Sequence, residues 1–321
     1  MRLINCKTLG FEEFIGKHIP PYMILSHTWE TCGFLIVDSN YKVVSRKVID
    51  KHGLPSKSHE MLNRLGIDTC CIDKSSSAEL TDAINSMFKW YKRAGLCIVY
   101  LSDFDSQDPV ADFARCRWFT RGWTLQELIV PQHVQFYDAK WRYYGRRSNL
   151  GPELSRITGI ALNVVSGGIY IPNRHAVAER MSWAARRETT REEDLAYCLF
   201  GIFGVNLPLL YGEGSRAFLR LQEIVKNSTD LTIFAWIAEA PTNGLRGIFA
   251  RSIREFAHAK STILKPSFNA EFVVTNRGLR IEKRLLKPYS HGLPRDHVTI
   301  DLMSLNCRFS YMASTTYLSI C

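Results

Sequence analysis

Three short segments hold the residues whose types and spacing could do chemistry. The densest is Arg117-Trp118-Phe119-Thr120-Arg121-Gly122-Trp123-Thr124-Leu125-Gln126-Glu127, with two Trp, two Arg and one Glu. An aromatic wall beside a carboxylate suits a cationic ring with an attached ribose, because ring faces attract a cation and the carboxylate offsets its charge. A plainer role is also open, and composition alone favours it. Thr124 and Glu127 have capping-box spacing, so Glu127 also fits as a cap of its own helix.

The second segment is Ser26-His27-Thr28-Trp29, at the carboxyl end of a candidate strand. In open α/β sheets that edge is where ligands bind. His27 either orients a ligand there or is a satisfied turn histidine. In the third segment Asp68 and Asp73 bracket another candidate strand. Asp73 faces the same edge or caps the helix that follows.

Other chemistries are excluded by motif. No P-loop, dinucleotide fingerprint, G-x-S-x-G or H-E-x-x-H occurs. Gly212-Glu213-Gly214-Ser215 reads as a turn with helix-cap chemistry. The nine cysteines are Cys6, Cys32, Cys70, Cys71, Cys97, Cys116, Cys198, Cys307 and Cys321, and they form no C-x-x-C pair. They read as reduced, mostly buried thiols of a cytosolic protein, with no metal site.

The elements that position these residues follow from periodicity. Tyr22–Ser26, Gly66–Ile72, Leu96–Leu101 and His133–Tyr137 read as strands. Ser76 and Glu79 have capping-box spacing and open a helix to Ala94, with Leu80, Ile84, Met87 and Tyr91 on one face. Strand, helix and strand in that order predict a parallel βαβ unit with the three strands adjacent. Residues 148–228 read as mostly helical, with a helix over Glu192–Phe203 behind a Thr190/Glu193 capping box and another over Ser215–Lys226. Beyond them Leu231–Ile237, Glu271–Thr275, Leu279–Lys283 and Val298–Leu302 read as strands.

Composition bounds the rest. The 321 residues are 46% hydrophobic, 12% aromatic and 22% charged, which predicts a large packed core in roughly two domains. Of the net charge of +10, most comes from residues 241–321, with 12 basic and 5 acidic residues. No zinc finger or RNP motif accompanies that basic tail, so nucleic acid is not the expected partner. The uncharged run Leu195–Gly212 is broken by Gly201, Gly204, Asn206 and Pro208 and reads as a buried helix followed by a loop. Met1–Pro20 lacks the apolar core of a signal peptide, so the expected location is the cytoplasm, away from membranes.

Taken together, Tyr22-Met-Ile-Leu-Ser-His-Thr-Trp29, Asp68-Thr-Cys-Cys-Ile-Asp-Lys-Ser-Ser-Ser-Ala-Glu-Leu80 and Trp118-Phe-Thr-Arg-Gly-Trp-Thr-Leu-Gln-Glu-Leu128 resemble the fungal heterokaryon-incompatibility (HET) domain. Downstream, Arg180-Met-Ser-Trp-Ala184, Thr189–Cys198 and Pro208–Gly214 resemble its usual companion, and the likeness runs from about residue 20 to residue 302. The resemblance implies a role in fungal nonself recognition and programmed cell death. It implies an α/β fold with a TIR/flavodoxin-like parallel sheet and flanking helices over residues 1–147. A helical companion over 148–228 and a β-rich, truncated C-terminal region over 229–321 follow.

Some TIR domains cleave NAD⁺ with a glutamate inside a Trp-Cys-x-x-Glu-Leu stretch. Trp123-Thr-Leu-Gln-Glu127-Leu128 is similar, with Thr124 where Cys would stand. The implied catalytic residue is Glu127, with Ser26, His27, Trp29, Asp73, Trp118, Arg121 and Trp123 lining the site. Trp118 or Trp123 would stack on the base and Arg121 would pair with a phosphate. NAD⁺ would be substrate and no cofactor would be held. The implied partners are another copy of the chain or another incompatibility protein. Two rival readings stand beside the enzyme: a noncatalytic, self-associating signalling module, and an inactive product of a mispredicted gene model. The last is prompted by Glu30 where the family shows Gly, and by Thr31–Leu65, which lack a helical period.

Overall fold

The structure is a computed structural model that describes residues 1–8, 10–16, 18–28, 63–68, 71–73, 75–167, 174–225, 230–239 and 247–260, and the backbone of 262–264, 272–275, 278–281 and 307–309. Trp29, the segment 31–62 and the expected strand Val298–Leu302 lie outside the described residues. The chain divides into two compact units. The first comprises 1–170, 187–190 and 197–209, and the second comprises 171–186, 191–196 and 210–321.

A mixed seven-stranded sheet forms the first unit. Its strands are β1 (Arg2–Asn5), β2 (Phe11–Glu13), β3 (Met23–His27), β4 (Arg64–Gly66), β5 (Leu96–Tyr100), β6 (Val134–Tyr137) and β7 (Tyr143–Arg146). The order is β2-β1-β4-β3-β5-β6-β7. The central strands β4, β3, β5 and β6 are parallel, and the edge strands are antiparallel. Tyr22, Met23, Ile24 and Leu25 are all buried, as a strand covered on both faces requires. Alternation sends Met23 and Leu25 into a cluster with Ile4, Leu65, Leu96 and Tyr100. Ile24 and Ser26 point to the other face, level with Cys97 and Val99 of β5.

Helix α1 (Ser77–Arg93) connects β4 to β5, so the expected adjacent parallel trio is borne out. Ser76 accepts the Glu79 backbone N–H, while Lys92 and Arg93 complement the dipole in the last turn. Two local expectations are corrected. The second strand is Arg64–Gly66 instead of Gly66–Ile72, because the Cys71 N–H turns back to the Ile67 carbonyl at 2.8 Å and ends the extended chain. Glu79 does not close the box on Ser76; its carboxylate accepts the Asp73 N–H at 2.9 Å. The β1–β2 hairpin was not expected.

Further corrections fall downstream. The helix expected over Glu192–Phe203 is broken into Asp194–Tyr197 and Phe200–Phe203. Glu193 is drawn away from capping because its carboxylate accepts the N–H groups of Gly212 and Gly214, at 2.8 and 3.0 Å. Those glycines have φ of +99° and +57°, the turn expected of them. Leu231–Phe234 is a 3₁₀ turn instead of a strand, because Asp230 accepts both the N–H and the hydroxyl of Thr232. In the second unit Asp230 and Thr232 also take the first N–H groups of the helix Val177–Ser182, at 2.7 and 3.1 Å. The described C-terminal strands form two antiparallel pairs, Phe272–Thr275 with Gly278–Ile281 and Thr262–Leu264 with Cys307–Phe309. Cys6, Cys71, Cys97, Cys116 and Cys198 are free thiols. Among the described residues no helix is long and apolar enough to cross a membrane.

The short helix Phe200–Phe203 reaches α1 through Gly201. A Cβ at this position would lie 2.1 Å from the Phe88 Cβ, an atom that cannot swing aside. Gly201→Ala is therefore expected to lower stability by about 1–3 kcal/mol, although alanine is the better helix former. A denaturant melt in which the variant equals or exceeds wild type would refute this packing.

Candidate functional site

Glu127 sits on α2 (Thr124–Ile129), a helix of six residues. So short a helix has no stability of its own and depends on what grips its ends. Its start is gripped by Arg187. The guanidinium Nη1 donates to the Arg121 carbonyl at 2.7 Å and to the Thr124 hydroxyl at 2.8 Å. The Thr124 hydroxyl lies 2.6 Å from the Trp118 carbonyl, to which it donates. Gly122 lets Glu188 come close, with its N–H 2.8 Å from the Glu188 carbonyl; a Cβ there would meet Thr189 at 2.5 Å. The far end of α2 is gripped by Arg147, which donates to the Leu128 and Gln132 carbonyls. Both guanidinia are buried, and burial lowers each pKa to about 10.

This grip aims Glu127 at β3. The Ser26 hydroxyl donates to the Glu127 carboxyl, and the Trp118 indole N–H donates to the same Ser26 oxygen at 2.7 Å. Ser26 is on the sheet face that α1 and α2 cover. Tyr91 of α1 adds a hydrogen bond to Glu127, and its hydroxyl lies 3.4 Å from the Leu25 carbonyl. All four side chains are buried, Glu127 being 6% exposed.

Burial pushes the Glu127 carboxyl up to about 8, and the nearby charge of Asp68 adds to the rise. The hydrogen bonds from Ser26 and Tyr91 and the charge of Arg187 pull the other way without cancelling it. Glu127 is thus mostly protonated at neutral pH. The same burial raises Tyr91 and the Cys97 thiol well above their ordinary values.

Of the residues singled out in the sequence, Ser26, Trp118 and Glu127 are brought together. The capping alternative for Glu127 fails, since its carboxyl turns to Ser26 and α2 has no side-chain cap bond. Trp118 is fully buried, edge-on to Phe119 and Phe136, so its ring is core and its N–H is the working part. His27 ends β3 opposite Tyr100, on the face away from Ser26. Asp73 is a turn residue: its carboxylate accepts the N–H and hydroxyl of Ser75, which hold it below the usual carboxylate range. Arg121 contributes its carbonyl to the Arg187 clamp, and Trp123 is the half-buried N-cap position of α2.

Four members of the site were not expected in it. Tyr91 had been read as one more apolar position of α1, and its hydroxyl was the signal. Asp68 brackets a candidate strand with Asp73 in the sequence, but Asp73 is the one expected at the ligand edge. Arg187 and Arg147 carried no mark separating them from neighbours Arg186 and Arg146. A partly open cleft lined by Ile24, Gly66, Asp68, Met87, Trp90 and Tyr91 lies against this group. Among the described residues no cluster of His, Cys, Asp and Glu could hold a metal.

The raised pKa fixes a direction for stability. Between about pH 4.5 and pH 8 the folded state holds a proton on Glu127 that the unfolded chain has lost. That contribution to stability is complete below the unfolded value and declines as pH rises through the folded one, by on the order of a few kcal/mol. Glu127→Gln is expected to remove the decline. Denaturant melts at pH 5.5 and 8.5 should show a larger loss for wild type than for the variant; equal losses would mean that Glu127 is not buried as described.

No family model matches the chain, and no solved structure matches it. The chain is similar to vegetative incompatibility protein HET-E-1 of Podospora anserina, at 44% identity over 223 residues. The match covers 65% of this chain and 16% of that protein, so the chain spans a small part of its relative's length. The similarity relates the chain to a fungal protein of vegetative, or heterokaryon, incompatibility.

Proposed function

We propose that this chain is a cytoplasmic heterokaryon-incompatibility effector of fungal nonself recognition, and that it acts by NAD⁺ glycohydrolysis at Glu127. The single observation that carries the reading is the Trp118–Ser26–Glu127 chain of hydrogen bonds. It joins two of the segments that resemble the HET domain and fixes one buried carboxyl behind the carboxyl end of a parallel strand. Strand order adds support. Numbered by their place in the chain, the parallel strands run second, first, third, fourth, as in flavodoxin-type sheets and the TIR-like architecture proposed here.

The chemistry suits this environment. Hydrolysis breaks the bond between ribose C1′ and the nicotinamide nitrogen, and the ring leaves neutral because it takes the bonding pair. Water adds to C1′ and gives up a proton. The developing oxocarbenium is stabilised by an anionic carboxylate, which is Glu127 after it ionises. A cationic nicotinamide ring entering the site favours that ionisation by its own charge. Ser26 and Trp118 hold the carboxyl in place throughout.

A second reading keeps one observation of its own. Glu127, Ser26 and Trp118 are buried, whereas Arg121 and Trp123 are partly exposed. In a noncatalytic signalling module those two residues would be interface anchors, binding a second copy or another incompatibility protein.

Nicotinamide release from NAD⁺ by purified wild type and Glu127→Gln separates the readings. The hydrolase predicts turnover that rises from pH 6 to pH 8 and falls at least about 100-fold in the variant. The variant should stay folded, since Gln still accepts from Ser26. A wild type that leaves NAD⁺ intact while the protein self-associates would reject the hydrolase and favour the module.

A further inference from the structure

The groups facing Glu127 come from five elements. Ser26 comes from β3, Asp68 from the turn after β4, Tyr91 from α1, Cys97 from β5 and Arg187 from the segment 187–190. Arg147 reaches the same neighbourhood through its effect on Cys97. Most of these groups are neutral or acidic, and Arg187 brings a cation to Glu127.

Its placement is specific. Arg187 is 3% exposed, and among the described residues its hydrogen bonds run from Nη1, to the Arg121 carbonyl and the Thr124 hydroxyl. Thr124 and Glu127 are three residues apart on α2 and so lie on one face of it. The guanidinium anchored on Thr124 therefore stands one turn from the Glu127 carboxyl. Its other nitrogen, Nη2, is buried without a hydrogen-bond partner among the described residues. An unfilled guanidinium nitrogen in the interior is costly and calls for a reason.

We propose that Arg187 is the positioning residue that lets Glu127 ionise: Nη1 locks the helix start, and Nη2 is kept unfilled as the counter-charge for the carboxylate. With Glu127 protonated, Nη2 has nothing to bind. When the proton leaves, the carboxylate gains the attraction of a buried cation anchored one turn away. Asp68 acts against this, since its own negative charge disfavours a second carboxylate nearby. The inference rests on the reading of Glu127 as the working carboxylate.

The test reads the ionisation itself. Carbon NMR of labelled glutamate carboxyls follows the titration, with Glu127 assigned as the signal missing from Glu127→Gln. Arg187→Gln removes the charge yet can still donate to the Arg121 carbonyl and Thr124; Arg187→Lys keeps the charge. The Glu127 midpoint should move up by at least one pH unit in Arg187→Gln, a tenfold weaker ionisation, and return most of the way in Arg187→Lys. An unmoved midpoint in Arg187→Gln, or equal shifts in both variants, overturns the proposal and leaves Arg187 as a clamp alone. If Arg187→Gln folds at pH 5.5 but not at pH 8.5, the proposal holds; failure to fold at both overturns it. A wild type inert toward NAD⁺ but showing the midpoint shift sinks the hydrolase and leaves this inference standing. An active wild type with no shift does the reverse.

Discussion

A carboxyl group withdrawn from water is the constraint on which the first unit depends. Glu127 lies where the covered face of β3 meets α1 and α2, and an ionised carboxylate there would lose most of its hydration. The interior answers in two ways. The group keeps its proton at neutral pH, and its oxygens are met by Ser26 and Tyr91. Each answer demands a further placement. Ser26 must be at the inward-facing end of β3, Tyr91 on the buried stripe of α1, and the Trp118 indole close enough to fill the second site on Ser26.

The helix that carries Glu127 is too short to hold its own position, and two buried guanidinia do so instead. Arg187 binds carbonyl and hydroxyl oxygens at its start, and Arg147 binds carbonyls at its end. An arginine at a helix C-terminus also faces the negative end of the dipole, which makes Arg147 the more readily accommodated of the two. Arg187 sits at the opposite end, where the dipole disfavours a cation. Its burial there is offset by two hydrogen bonds, to the Arg121 carbonyl and the Thr124 hydroxyl. Replacing such buried charges with apolar side chains often costs nothing in stability. What they supply is direction, fixing a six-residue helix so that one side chain meets one serine.

Much of this frame was legible in the residues. The apolar run Tyr22–Leu25, the Ser76 cap and the spacing of Ile84, Met87 and Tyr91 are local signals, and the elements they predict are present. The failures share a cause: a side chain with a distant partner. Glu79 was drawn to Asp73, Glu193 to Gly212 and Gly214, and Glu127 to Ser26, although each stood at capping-box spacing. Spacing reports what a glutamate can reach within its own helix and says nothing of what the fold brings to it. Asp230 made the opposite error visible: a strand-like apolar run after it became a 3₁₀ turn because one aspartate captured the next residues. Arg187 was illegible for a different reason. Its neighbours in the chain are polar and ordinary, and its importance arises only from burial against a segment more than sixty residues earlier.

Folding alone gives little reason for a carboxyl at position 127. A leucine would fill an interior site without any proton to hold, and a glutamine would satisfy Ser26 without a group that is costly to ionise. The carboxyl lowers stability progressively as pH rises above the ordinary range of a glutamate, and that sacrifice is greatest where the acid ionises. Sites that set stability aside for a titrating group are where chemistry is usually found. The two readings of this chain differ on that one point. An interaction module needs the shape of the Trp118–Ser26–Glu127 chain and nothing from its charge, whereas bond cleavage needs an anion. Arg187 serves either reading as the clamp on the start of α2, and only bond cleavage would also use its charge beside an ionised Glu127.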